Sequence, residues 1–128
     1  MGKTLIVDDD EDMRLLLRIM INASDRGLQV VGQAASGEEA LRLRRDLDLD
    51  VIVLDQQMPG LTGIETAERL LAQDPDIRIV LYSAFLDSDV CEQAERVGVR
   101  QCVTKGDVST LIGALRELTG KNIDSPTE

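Results

Sequence analysis

The sequence predicts an α/β fold, a doubly wound parallel sheet of five strands with helices on both faces. Strand-like and helix-like segments alternate five times along the chain. Their connections are short, as in repeated βα units whose crossover helices pack back onto the sheet. Several of the apolar runs stop at a residue that can do chemistry, and the carboxyl edge of such a sheet is where ligands bind.

The elements follow in order. The first strand covers 4–7, Thr-Leu-Ile-Val. A helix is expected over 12–25, with Met13, Leu17, Met20 and Ile21 as its core-facing stripe and Ser24 as a polar end. Leu16 edges that stripe, while Leu15 and Ile19 fall on the far side. The helix is thus apolar nearly all round, which means either a wide buried face or an exposed patch for a partner or a second subunit. The second strand is 28–34. Ser36 then caps a helix at 37–46, with Glu39 at the capping-box position. The third strand, 51–54, is Val-Ile-Val-Leu, an unbroken apolar run that suits burial on both faces. Pro75 closes a helix at 63–73, and a fourth strand covers 78–82. Gly98 follows a helix at 88–97 in the place of a left-handed cap. A last strand, 101–104, leads to a helix at 108–118 whose Leu111, Leu115 and Leu118 are core positions. Residues 1–119 read as one domain, and 120–128, polar with one proline, as a loose tail or linker stub.

Composition narrows the function. A chain of 128 residues holds one core. With one Tyr, one Phe and no Trp, that core is built from Leu, Ile, Val and Ala. The formal charge of −10 argues against direct nucleic-acid binding, which relies on Lys and Arg meeting phosphates. The absence of His excludes a histidine base or metal ligand from this chain, so any bound cation is a hard ion such as Mg²⁺ on carboxylate oxygens. Cys91 and Cys102 lack metal-site spacing and read as reduced, mostly buried thiols. The sequence shows no signal peptide or membrane-length apolar stretch, and a cytoplasmic protein is expected.

The strand ends carry the chemistry. Asp8 and Asp9 follow the first strand, Asp55 the third, Ser83 the fourth and Lys105 the fifth. Taken singly, these residues have ordinary readings: an acidic run at a helix N-terminus, a turn aspartate, a strand-end hydroxyl, a surface lysine. Glu11 and Asp12 fit the first of these in any case. Together, an acidic pair, a lone aspartate, a hydroxyl and an ammonium can hold a metal and a phosphoryl group.

Four pieces in order, Leu5-Ile6-Val7-Asp8-Asp9, Leu54-Asp55-x-x-Met58-Pro59-Gly60-x-x-Gly63, Ser83-Ala84 and Lys105, resemble the receiver domain of bacterial two-component response regulators. The likeness spans about residues 3–118. It implies a flavodoxin-like fold with strand order 2-1-3-4-5. It also implies that Asp55 is the phosphoacceptor, taking the phosphoryl group from a histidine kinase or histidine phosphotransfer protein. Mg²⁺ would sit on Asp8, Asp9, Asp55 and the backbone carbonyl of Gln57. Lys105 would face the phosphoryl oxygens, and Ser83 would swing to them. The output is a surface read by a downstream effector protein or output domain, formed by the fourth helix, fifth strand and fifth helix. Leu15, Leu16 and Ile19 are the candidate partner-docking or homodimer surface. No membrane contact is implied, and the domain is a signalling module rather than an enzyme.

The sequence departs from the family at two places. Cys102 stands where many members carry the switch aromatic, so the hydroxyl–aromatic coupling has no ring to use. Gly106 follows Lys105 where many have proline and a cis bond. The resemblance also implies that the residues two beyond the acceptor and two beyond the hydroxyl, here Gln57 and Phe85, line the path of an attacking water, and a bulky Phe85 there implies slow self-dephosphorylation. Two other readings stand beside this one. A haloacid-dehalogenase-like phosphatase would use Asp8-x-Asp10 as its opening motif, although Asp12 breaks the pattern. A degenerate receiver would act by protein binding alone.

Overall fold

Successive side chains of a strand point to opposite faces, and the strands of this chain use both faces for burial. The computed structural model describes residues 2–24 and 27–120. The proposed tail at 120–128 therefore lies outside the described residues apart from Gly120. In order, the elements are β1 (Gly2–Val7), α1 (Glu11–Ser24), β2 (Leu28–Ala34), α2 (Gly37–Asp46), β3 (Val51–Leu54), α3 (Gly63–Gln73), β4 (Arg78–Ser83), α4 (Ser88–Val97), β5 (Gln101–Thr104) and α5 (Val108–Leu118). The strands are all parallel, in the order β2-β1-β3-β4-β5. This is the expected flavodoxin-like topology.

Alternation sorts the helices. Leu5, Val7, Ile52, Leu54, Ile79 and Leu81 face one core, closed by Ala40 of α2, Ala67 and Leu70 of α3 and Ala94 of α4. Ile6, Val51, Val53, Val80, Tyr82 and Val103 face the other, closed by Leu17 and Ile21 of α1 and Leu111, Ala114 and Leu115 of α5. All four residues of β3 are buried, as the unbroken run Val51 to Leu54 requires. Leu118, expected in the core, is only partly buried at the end of α5.

The caps differ in detail from the sequence expectation. Ser36 does cap α2, its Oγ accepting from the Glu39 N–H at 3.1 Å. Glu39, however, reaches past the cap to the N–H of Ala35 at 2.7 Å, so the box does not close on Ser36. The closed capping box is on α3, between Thr62 and Glu65. Gly98 is the left-handed cap of α4, with φ +108. In α1, Leu17 and Ile21 are buried, but Met13 and Met20 are only partly so. Leu15, Leu16 and Ile19 are 45%, 47% and 55% exposed, which decides for the exposed patch over the wide buried face. Among the described residues, no helix is long and apolar enough to cross a membrane.

Candidate functional site

Register brings the strand ends together. Val7 pairs with Leu54, and Leu54 with Leu81, so the chains leaving β1, β3 and β4 emerge side by side. The ladder runs one step beyond the strands. Asp8 donates its N–H to Ala34 O at 3.0 Å, Asp55 to Val7 O at 2.9 Å, and Lys105 to Ser83 O at 2.9 Å. The backbone of each charged residue is thus pinned to the neighbouring strand, leaving its side chain to point into the shared edge.

Both strand-end aspartates then fold onto their own loops. Asp8 Oδ1 accepts from the Asp10 N–H at 2.9 Å, and Asp55 Oδ1 from the Gln57 N–H at 3.4 Å. Their other oxygens face Lys105, whose Nζ lies 2.9 Å from Asp8 Oδ2 and 3.3 Å from Asp55 Oδ2. Asp8 and Asp55 are buried, while Asp9 is exposed at the rim. Burial first, and then the charge of Asp8, push the Asp55 carboxyl above its usual range; Lys105 and the Gln57 N–H pull it back only in part. Burial would lower the Lys105 ammonium, but its hydrogen bond to Asp8 and the charges of Asp55 and Asp8 outweigh that and hold it above its ordinary value.

The donor set suits a hard divalent ion. Asp8, Asp9 and Asp55 each offer a carboxylate oxygen, all within 4.8 Å of one another. Three carboxylates against one ammonium leave an excess of negative charge, and oxygen donors with one open side match Mg²⁺, which keeps several waters. Ser83 adds a hydroxyl to this group of side chains. It is buried, yet its Oγ has no hydrogen-bond partner among the described residues. Such an orphan is costly unless something arrives to accept or donate.

The structure thus gathers Asp8, Asp9, Asp55, Ser83 and Lys105, with Gln57 in the loop beside them. Phe85 stands in solvent, 69% exposed, rather than packing as a wall. Cys102 is half-buried on β5 against the α4 side of the core. The two cysteines are less buried than expected, and they meet. Burial, followed by the hydrogen bond to Cys91, pushes the Cys102 thiol up to about 12.

Three supporting residues escaped the sequence reading. Arg14 Nη1 donates to the Asp8 carbonyl at 2.7 Å, bracing the acidic loop from the first turns of α1. Gln56 Oε1 accepts from the Ile64 N–H at 2.8 Å, so the residue after the aspartate satisfies a first-turn N–H of α3 beside the Thr62 cap. Tyr82 accepts at its hydroxyl from the Gly106 N–H at 2.9 Å. An arginine six residues beyond Asp8 was a readable hint of the first. The other two partners are backbone groups that the sequence does not mark.

Known proteins give the same answer. A family model described as the response regulator receiver domain matches residues 4–116. The response regulator GacA of Pseudomonas aeruginosa is 36% identical over 128 residues, covering 98% of this chain and 59% of its own length. The chain therefore spans under two thirds of that relative. A LuxR-family two-component response regulator from Aurantimonas sp. SI85-9A1 superposes with a TM-score of 0.88 at 30% identity, over 94% of this chain and 86% of that one. The response regulator TrrA of Thermotoga maritima, solved in complex with Mg²⁺-BeF, gives 0.81 at 28% identity, over 92% and 99%. Topology, strand-end chemistry and kinship agree, and the chain belongs to the family of response regulator receiver domains of two-component signalling.

Proposed function

We propose that Asp55 accepts a phosphoryl group from a phosphohistidine of a histidine kinase or histidine phosphotransfer protein. The acceptance then shifts a surface that an effector or output domain reads. The observation that carries this is the pairing of the buried Asp55 carboxylate with the Lys105 ammonium at 3.3 Å, beside the Ser83 hydroxyl, which has no partner among the described residues.

An Asp55 carboxylate oxygen attacks phosphorus, the P–N bond to the histidine breaks, and the imidazole leaves with the bonding pair. Lys105 neutralises charge on the phosphoryl oxygens. Ser83 gains the partner its Oγ lacks. Gln57 holds Asp55 Oδ1 through its N–H, which leaves Oδ2 on the lysine side. Asp8, Asp9, Asp55 and the Gln57 carbonyl would hold Mg²⁺, and the bound ion would offset further charge on the phosphoryl group. The relative solved with Mg²⁺-BeF supports this assignment.

The output surface is α4, β5 and α5, with movement of the loop after Ser83 replacing the missing aromatic at Cys102. Leu15, Leu16 and Ile19 of α1, exposed in the single chain, form the docking surface for a partner such as the phosphodonor or for a second copy of the chain. The receiver comprises residues 1–119.

Intact-mass spectrometry after incubation with acetyl phosphate and Mg²⁺ tests the acceptor. One phosphoryl adduct is expected on the native chain, and none on Asp55→Ala or without Mg²⁺. An adduct that survives Asp55→Ala would transfer the role to another carboxylate, Asp8 first. No adduct on the native chain would favour a receiver that acts by binding alone.

A further inference from the structure

Tyr82 immediately precedes Ser83 and points to the opposite face of β4. Its ring is buried in the cluster that includes Val80, Val103, Leu111 and Leu115, so the side chain cannot swing. Only its hydroxyl leaves this apolar surround, and it accepts from the Gly106 N–H at 2.9 Å. Gly106 directly follows Lys105, whose own N–H is held by the Ser83 carbonyl at 2.9 Å. Two consecutive N–H groups of the β5–α5 loop are thus tied to two consecutive residues of β4, one through main chain and one through a side chain.

Gly106 makes this possible. Its φ is +98, and a Cβ there would meet nothing within 4 Å among the described residues, so glycine serves the backbone conformation rather than the space. Among the described residues no peptide bond is cis. A proline at this position would have no N–H to give.

We propose that Tyr82 is a positioning residue for phosphoryl transfer: its hydroxyl, acting through Gly106, sets where Lys105 presents its ammonium to Asp55 and Asp8. The inference rests on the phosphoacceptor reading of Asp55. A lysine acts as a point charge on a flexible four-carbon stem, so its value at the site depends on where its backbone is held. The hydroxyl supplies that hold from a ring locked in the core.

Tyr82→Phe keeps the ring and removes one oxygen. With acetyl phosphate and saturating Mg²⁺, the maximal rate of Asp55 phosphorylation is expected to fall about 3- to 10-fold, the worth of one buried hydrogen bond. The Lys105 side-chain NMR resonance, assigned with Lys105→Arg, is expected to move toward that of a free lysine. Ile21→Val trims the same buried cluster without touching the hydroxyl and controls for general loosening; it is expected to leave both readouts native. A native rate and a native Lys105 resonance in Tyr82→Phe overturn the proposal, as does an equal loss in Ile21→Val. If the native chain takes no phosphoryl group, the acceptor reading fails by itself. The Lys105 resonance then decides alone whether Tyr82 holds the lysine.

Discussion

Gly63 at the start of α3 lies directly against the backbone of Asp55. A Cβ on Gly63 would overlap the Asp55 carbonyl oxygen and come within 2.8 Å of Gln56 Cα. The Gly63 N–H also donates to the Gln56 carbonyl at 2.9 Å, so the helix start and the acceptor loop form one unit. Gly63→Ala must push main chain apart. A loss of about 1–3 kcal/mol is expected, as for overpacking, together with slower phosphorylation. Among the described residues nothing lies within 4 Å of the Cβ position of Gly113 on α5, and Gly113→Ala should gain about 1 kcal/mol from helix propensity. Urea unfolding of the two variants checks the contrast, and effects of the same sign would refute it.

The raised Asp55 carboxyl gives a signed pH dependence. Its folded value lies above the reference of 3.8, so the folded state binds this proton more tightly than the unfolded chain does. Stability from this group is therefore lost as pH rises through the folded value, and no penalty remains below the unfolded one. In EDTA, Asp55→Asn should unfold at higher urea than the native chain at pH 7, with the difference closing below about pH 4. Equal midpoints at pH 7 would count against it. Mg²⁺ at about 100 times its dissociation constant should then stabilise the native chain by about 2.7 kcal/mol, and Asp55→Asn by less.

Phe85 separates lifetime from stability. Its ring is 69% exposed, so Phe85→Asn should alter stability by less than about 0.5 kcal/mol. The same change is expected to speed phosphate loss from Asp55, because a polar side chain two residues past Ser83 can orient an attacking water and an apolar ring cannot. Decay of the phosphorylated mass with time provides the measurement. An unchanged decay removes Phe85 from the account.

The apolar patch on α1 predicts a split between donors. Leu16→Asp with Ile19→Asp should leave acetyl phosphate labelling intact, since neither residue belongs to the site. Transfer from a phosphorylated histidine protein should fall at least tenfold, the loss of about 1.4 kcal/mol expected when an apolar anchor is replaced. Equal rates from both donors would show that the patch serves something else.

Much of this was legible because both signals are local. The unbroken run Val51 to Leu54 reads as a strand buried on both faces, which puts Asp55, the next residue, at the sheet edge. Where the reading fell short, the cause was a partner distant in sequence. Gly2 and Lys3 are poor strand formers, yet they extend β1 because Gly27 O and the Asp50 carboxylate take their N–H groups at 2.6 and 2.8 Å. Glu39 was placed at a capping box by its spacing, but its carboxylate found Ala35 instead. On α1 the pattern placed Leu15 and Ile19 away from the core, but whether another element covered them is a tertiary fact. Tyr82 looked like one more strand residue, since its partner is a backbone N–H 24 residues away.

The scarcity of aromatics has a practical side. With one tyrosine and no tryptophan, all the long-wavelength ultraviolet emission of this chain comes from Tyr82, whose phenol oxygen touches the loop beside Lys105. The protein therefore carries its own optical probe at the edge of the site, free of background. Stopped-flow fluorescence of the unlabelled chain is expected to report the proposed metal entry and phosphoryl transfer.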